Sequence, residues 1–242
     1  MIAPDLDVMI IAPTNFMYVI AGLNGAGKTT FVRPIIEENP QISFVNPDIV
    51  QAKDTISATD AGYMCLDTMK KTLIPSHKSF LVETTLSGQY NFLKLAHDNG
   101  YIIKCVYISL PSADEGDKRV SQRRTEGGHY VEPEVVHRRY IRSLGHLPMC
   151  LPLFKDWEIY DHSKRGEYRL VAKGVCNQKI DIVNEELYNT WVQNCVEIVT
   201  NNLSQIGSKT QIKKCLDAMH AGILIPEQYK IRVSQLLASL NH

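Results

Sequence analysis

The chain has 242 residues, and its 26 lysines plus arginines are balanced by 26 aspartates plus glutamates, giving a formal net charge of zero. Proteins whose main partner is a nucleic-acid backbone normally carry a basic excess, so that class is set aside. No apolar run reaches the roughly 18 residues that a membrane span needs, and Asp5 and Asp7 interrupt the region where a secretory signal would lie. A cytoplasmic α/β protein with no membrane partner is expected, long enough to bury roughly 70 to 75% of its unfolded surface without a metal or disulfide. The six cysteines (65, 105, 150, 176, 195, 215) fall singly with no C-x-x-C pair, which predicts buried small hydrophobes in a reducing compartment and argues against zinc.

The first predicted strand, 17–21, runs into Gly22-Leu23-Asn24-Gly25-Ala26-Gly27-Lys28-Thr29, and the helix-compatible run 30–38 follows. Strand, G-x-x-x-x-G-K-[ST] and helix together form the context of a nucleotide phosphate loop. Its glycines let backbone N–H groups converge on a phosphate, and the helix N-terminus adds its positive dipole end. Lys28 is placed to reach the outer phosphates and Thr29 to hold Mg²⁺, with Thr30 opening the helix. A plain glycine-rich turn is the alternative.

Further strands are predicted at 42–46, 80–83 and 102–110, each apolar almost throughout, as strands covered on both faces are. Helices are predicted at 29–38, 60–73, 88–98, 114–126, 133–144 and 184–200, with Ser87-Gly88 and Asp114 as N-caps. This alternation predicts a mainly parallel sheet between helical layers. Segments 157–160 and 168–172, separated by the polar turn 161–166, either extend the sheet or form an edge hairpin. From about 201 the chain turns polar and then amphipathic at 211–219 and 228–240, with Pro226 between them. That tail is a helical cap or a partner-binding element.

Ligands collect at the carboxyl ends of strands in an open parallel sheet. Asp48, in Asn46-Pro47-Asp48, follows the second strand, and Glu83, in Glu83-Thr84-Thr85, ends the third. A hydroxyl acceptor needs one carboxylate to take its proton and a second group to fix it, which suits Asp48 and Glu83 respectively. Asp48 also fits as the N-cap of a helix through 49–51. Helical spacing puts Arg119 with Arg123, and Arg138 with Arg142, on common faces, on either side of Gly127-Gly128-His129. Two such helices about a glycine hinge predict a lid over a transferring phosphoryl. Strand 102–110 runs into Ser109-Leu110-Pro111-Ser112, and no apolar strand ends in the aspartate of a second NTPase motif. That absence leans toward a kinase.

Residues 21–30, Phe44-Val45-Asn46-Pro47-Asp48 and Phe80-Leu81-Val82-Glu83-Thr84-Thr85-Leu86-Ser87-Gly88 resemble the zeta-toxin family of phosphotransferases. So do Arg119-Val120, Gly127-Gly128-His129, Arg138-Arg139-Tyr140 with Ser143-Leu144, and Trp157-Glu158-Ile159-Tyr160-Asp161; the match spans about 17–173. The resemblance implies a three-layer P-loop kinase fold over 1–200 with an arginine-rich helical lid at about 114–145; the helical extension expected over 201–242 lies outside it. It implies ATP and Mg²⁺ as cofactors, phosphorylation of the 3′-hydroxyl of UDP-N-acetylglucosamine, and a small antitoxin protein as partner. By motif, Asp48 is then the general base and Glu83, with Asn46, Thr84 and Thr85, holds the acceptor. Lys28, Arg119 or Arg123, and a lid arginine such as Arg138 face the phosphates.

Two departures stand out. The family's second arginine, just before a lid proline, is replaced by His129-Tyr130-Val131-Glu132-Pro133, leaving Arg138, Arg139 or His129 for that role. Ser87 stands where the toxins commonly carry an arginine, which bears on acceptor specificity. A nucleoside, antibiotic or dinucleotide acceptor, or a non-catalytic nucleotide-binding module, are the competing readings.

Overall fold

The structure is a computed structural model that describes residues 15–54, 56–125, 131–176, 180–222 and 224–240. The apolar runs become a seven-stranded sheet in the order β2-β3-β1-β4-β5-β6-β7. Its strands are β1 (Phe16–Gly22), β2 (Ser43–Val45), β3 (Phe80–Thr84), β4 (Ile102–Ser109), β5 (Phe154–Asp161), β6 (Arg169–Val175) and β7 (Asp181–Ile182). β1 is central, parallel to β3 on one side and β4 on the other, and Met17 through Ala21 have no exposed surface. Full burial of each Val or Ile there contributes about 1.5–3 kcal/mol of transfer free energy, and packing on both faces explains why the run does not alternate.

β2 pairs parallel with β3, and β5 pairs parallel with β4. The two readings of 157–160 and 168–172 both hold: β5 extends the parallel sheet, and β6 returns antiparallel beside it. The two-residue β7, exposed and without an apolar pattern, adds an edge that the sequence did not signal.

Helices α1 (Lys28–Glu38), α2 (Pro47–Asp54), α3 (Ala58–Thr68), α4 (Tyr90–Asp98), α5 (Ala113–Thr125), α6 (Pro133–Cys150) and α7 (Glu185–Asn201) cover the sheet and its carboxyl edge. A π-helical segment, Met69–Leu73, continues α3. Three caps differ from expectation. The Asn46 side chain accepts from the Asp48 N–H at 2.9 Å at the start of α2, so the cap belongs to Asn46 and Asp48 keeps its carboxylate free of it. Ser112, not Asp114, caps α5 by accepting from Glu115 N–H at 3.1 Å. Gln89 precedes α4 with no side-chain cap, so Ser87-Gly88 does not serve. α6 runs to Cys150, past the predicted stop at 144, because Ser143 through Cys150 are all buried and Pro148 is carried inside the helix. Burial of that turn outweighs the local breaking signals of Gly145 and Pro148.

The tail forms α8 (Leu203–Ile206), α9 (Lys209–Ala221) and α10 (Glu227–Leu240). Ser208 and Gln211 make a reciprocal capping box that starts α9. Ile212, Cys215, Leu216 and Met219 of α9 are buried and pack with the main core, α9 against α6. No helix among the described residues is long and apolar enough to cross a membrane.

Because β1 to β5 all run the same way, the segments that follow them meet along one edge. That edge receives 22–28, Asn46-Pro47-Asp48, 83–87 and the β5–β6 turn. The glycine hinge 127–128 and His129 lie outside the described residues.

Candidate active site

β1 delivers its chain into the loop at Gly22, whose φ is 141° and whose missing side chain admits the Ile108 carbonyl of β4. Gly27, at φ 86°, turns the chain into α1, and its carbonyl starts the helix by accepting from Phe31 N–H at 2.9 Å. The Lys28 ammonium lies back across the loop, donating to the carbonyls of Gly22 at 2.9 Å and Leu23 at 3.0 Å. Burial lowers its pKa, and this outweighs the opposing pull of Glu83 and Asp48.

Glu83, next to last in β3, lies immediately beside the loop strand. Its Oε2 accepts from the Thr29 hydroxyl at 3.1 Å and from the Asn46 side-chain amide, while its Oε1 is buried without a partner among the described residues. Burial raises the Glu83 pKa, against the lowering effect of Lys28 and Thr29. The carboxylate expected at the end of the third strand therefore stands next to the loop.

Two clefts meet here. One, of about 440 Å³, is lined by Gly25, Gly27, Thr29, Thr30, Arg119, Arg123, His162 and Tyr168 among others. The other, of about 720 Å³, is lined by Asn46, Tyr63, Met69, Thr84, Thr85, Ser87, Arg138, Arg139 and Arg142 among others. Asn24, Lys28, Asp48 and Glu83 line both. Gly22, Leu23 and Ala26 shape the loop behind them; Leu23 and Ala26 are buried.

The arginines part company. Arg119 is buried at 6% exposure, its Nε donating to Glu115 at 2.7 Å and its Nη2 to the carbonyls of His162 at 2.9 Å and Ser163 at 3.0 Å. Arg123, one turn on, is exposed and lies close enough to bias both Lys28 and Glu83. On α6, Arg138 is exposed on the larger cleft, and Arg139 donates to the Asn24 side chain at 3.0 Å. Arg142 gives its Nε to the Gln205 carbonyl at 2.9 Å.

Sequence reasoning missed His162 and Tyr168, which press on the loop from the β5–β6 turn, and His146, whose Nδ1 accepts from Gly88 N–H at 2.8 Å. The rule that ligands gather after parallel strands pointed to 162, since β5 is the fifth such strand. His146 left no signal, because its partner is 58 positions away. It steadies a loop in which Leu86, fully buried, holds a positive φ of 62°; such strain gathers at functional sites.

Sheet order, loop and carboxylates together define a phosphate-loop α/β protein of the P-loop kinase fold class. The fold matches the AvrRxo1-ORF1:AvrRxo1-ORF2 complex with ATP at a TM-score of 0.58 and 17% identity, over 95% of this chain and 76% of that one. The same complex with sulphate ions gives a TM-score of 0.58 at 16% identity, over 97% and 83%. At such identities the likeness is one of fold. By sequence, 128 residues are 28% identical to an uncharacterized protein of Haemophilus influenzae, a match covering 49% of this chain and 88% of the relative. No known family's sequence profile matches the chain.

Proposed function

We propose that the protein is an ATP-dependent phosphotransferase that moves the γ-phosphoryl group of ATP to a hydroxyl of a small molecule. The observation that carries this is the shared wall of the two clefts: Lys28, Asp48 and Glu83 border both. A simple hydrolase has no use for a second large cleft opposite the phosphate loop. In-line transfer between two bound substrates needs two sites that open on one set of charged groups.

In this reading the loop N–H groups and Lys28 cradle the ATP phosphates, and Lys28 exchanges its two carbonyl partners for phosphate oxygens. Asp48, exposed at the junction and free of the capping bond, takes the proton from the acceptor hydroxyl. Glu83 orients through Oε1, its unpartnered oxygen, while Oε2 keeps Thr29 and Asn46 in place. Arg123 and Arg138, exposed on opposite sides of the junction, offset charge on the transferring group. The Thr29 hydroxyl and the Glu83 carboxylate are hard oxygen donors and fit Mg²⁺. When bound, Mg²⁺ neutralises charge on the outer phosphate oxygens.

For the acceptor, the zeta-type resemblance and the larger cleft favour a nucleotide sugar, with the 3′-hydroxyl of UDP-N-acetylglucosamine as the specific candidate. Tyr63, 67% exposed on that cleft, offers an aromatic face for a base or sugar, and the α6 arginines suit a diphosphate. The presence of a second protein in the AvrRxo1 complexes supports a small inhibitory partner here too. The test is transfer from γ-labelled ATP to a panel of UDP-sugars, nucleosides, dinucleotides and aminoglycosides. Label on UDP-N-acetylglucosamine is expected; label on another member instead overturns the acceptor, and ATP binding with no transfer to any overturns the enzyme.

A further inference from the structure

Ala26 and Gly27 each place a carbonyl on the outer side of the phosphate loop, and each carbonyl is held by a side chain from the β5–β6 turn. His162 Nδ1 lies 2.8 Å from the Ala26 oxygen, and the Tyr168 hydroxyl donates to the Gly27 oxygen at 2.8 Å. The same nitrogen lies 3.1 Å from the Arg119 Nη1, but a carbonyl oxygen only accepts, so the shorter contact to Ala26 assigns the proton to Nδ1. A trans peptide is planar with its C=O and N–H pointing opposite ways. Holding the Ala26 oxygen outward therefore aims the Gly27 N–H inward, and holding the Gly27 oxygen outward aims the Lys28 N–H inward. These are two of the donors a phosphate would meet.

The clamp is itself braced. The two rings stack at 4.2 Å and 16°, and Phe31 of α1 meets the Tyr168 ring edge-on at 5.1 Å. The Cβ that any other residue would carry at position 27 would come within 2.7 Å of the Tyr168 oxygen and 2.8 Å of the His162 ring. Arg119 holds the turn by the backbone carbonyls of His162 and Ser163, and Glu115 takes its Nε.

We infer that His162 and Tyr168 are positioning residues that aim the phosphate-loop amides, and that Arg119 acts through the turn that carries them instead of on phosphate. The inference rests on the donor-site reading of the smaller cleft. Its effect is on the phosphates, whichever base or acceptor is present.

Calorimetric titration of the whole protein with Mg·ATP and with tripolyphosphate tests it, with thermal melting run alongside. Tyr168→Phe keeps the ring between its neighbours and loses only the donor. It should weaken both ligands by the same factor, about 5- to 10-fold for one hydrogen bond. His162→Ala should do likewise. His162→Asn, whose amide nitrogen falls near the Nδ1 position, should restore binding, which a merely space-filling role would not. Arg119→Ala combined with His162→Ala should lose little more than either alone. Wild-type affinity in both Tyr168→Phe and His162→Ala overturns the clamp, and additive losses in the double variant put Arg119 on phosphate directly. Failure of the wild-type protein to bind either ligand overturns the donor-site reading itself.

Discussion

The two clefts are built differently. On the donor side the polar groups answer to one another: Lys28 to two loop carbonyls, His162 and Tyr168 to two more, and Arg119 to Glu115 and the β5–β6 turn. On the acceptor side, Arg139 and Arg142 are bonded, but Arg138 is exposed and, like Asp48 at the junction of the clefts, makes no side-chain hydrogen bond or ion pair among the described residues. A site whose groups are held before the ligand arrives binds a fixed chemical group, in the proposed function a polyphosphate, at little ordering cost. A site whose charges await a partner leaves selectivity to the partner's shape and charge. Changes on the acceptor side should therefore spare ATP binding, and changes in the loop should not.

The largest expected effect is that of Lys28→Ala, which should reduce phosphoryl transfer by at least about 10² to 10³-fold and weaken ATP, with folding intact by circular dichroism. Near-full activity in that variant would sink the enzyme reading. Asp48→Asn should lower turnover by about 10² to 10⁴-fold while calorimetric ATP affinity stays at wild type. An equal loss of ATP binding would move Asp48 into the donor side and break the contrast. Arg138→Ala should raise the acceptor KM about 10-fold with little change in the KM for ATP.

Acidity sharpens the same contrast. Burial raises the Glu83 pKa against the lowering effect of Lys28 and Thr29, so its carboxylate form is reached at higher pH than an ordinary glutamate's, and transfer that depends on it should rise with pH. The two buried histidines act on stability, and in the same direction of pH. Burial lowers the pKa of His146, on α6 against the loop after β3, and of His162, in the β5–β6 turn against the phosphate loop, below 6.5. A group held neutral in the fold and charged more readily when unfolded contributes its full stability above 6.5 and loses it as pH falls through the lowered folded value. Melting temperature should be level near neutrality and drop below pH 6.5, and His146→Asn or His162→Asn should each flatten the drop. A melting curve that falls equally in both variants would show that other groups control acid unfolding.

Much of the donor side was legible in the sequence, because it is local. Gly22 to Thr29 carries its own strand, turn and helix signals within a dozen positions, and only such a loop requires glycine where φ reaches 86° against a tyrosine hydroxyl. Asp48 and Glu83 were legible by a rule of topology, since both follow apolar strands. The role of Arg119 was not: spacing placed it with Arg123 on one face, yet tertiary packing buried one and exposed the other. The caps at Asn46 and Ser112 were missed for a milder reason, as several adjacent residues could each have supplied the oxygen.

By itself the sequence determined the alternation of strands and helices and the phosphate loop, because each depends on periodicity and on residues close along the chain. It also marked the two carboxylates at strand ends. Only the tertiary structure decided that β5 and β6 both join the sheet and that the β5–β6 turn reaches back over the loop. It alone joined Glu83 to Thr29 and Asn46, and divided the arginines between a buried brace and an open cleft. Those contacts span separations of 37 to 141 positions, and their energies depend on burial and on which strands neighbour one another, neither of which a local pattern of residues can encode.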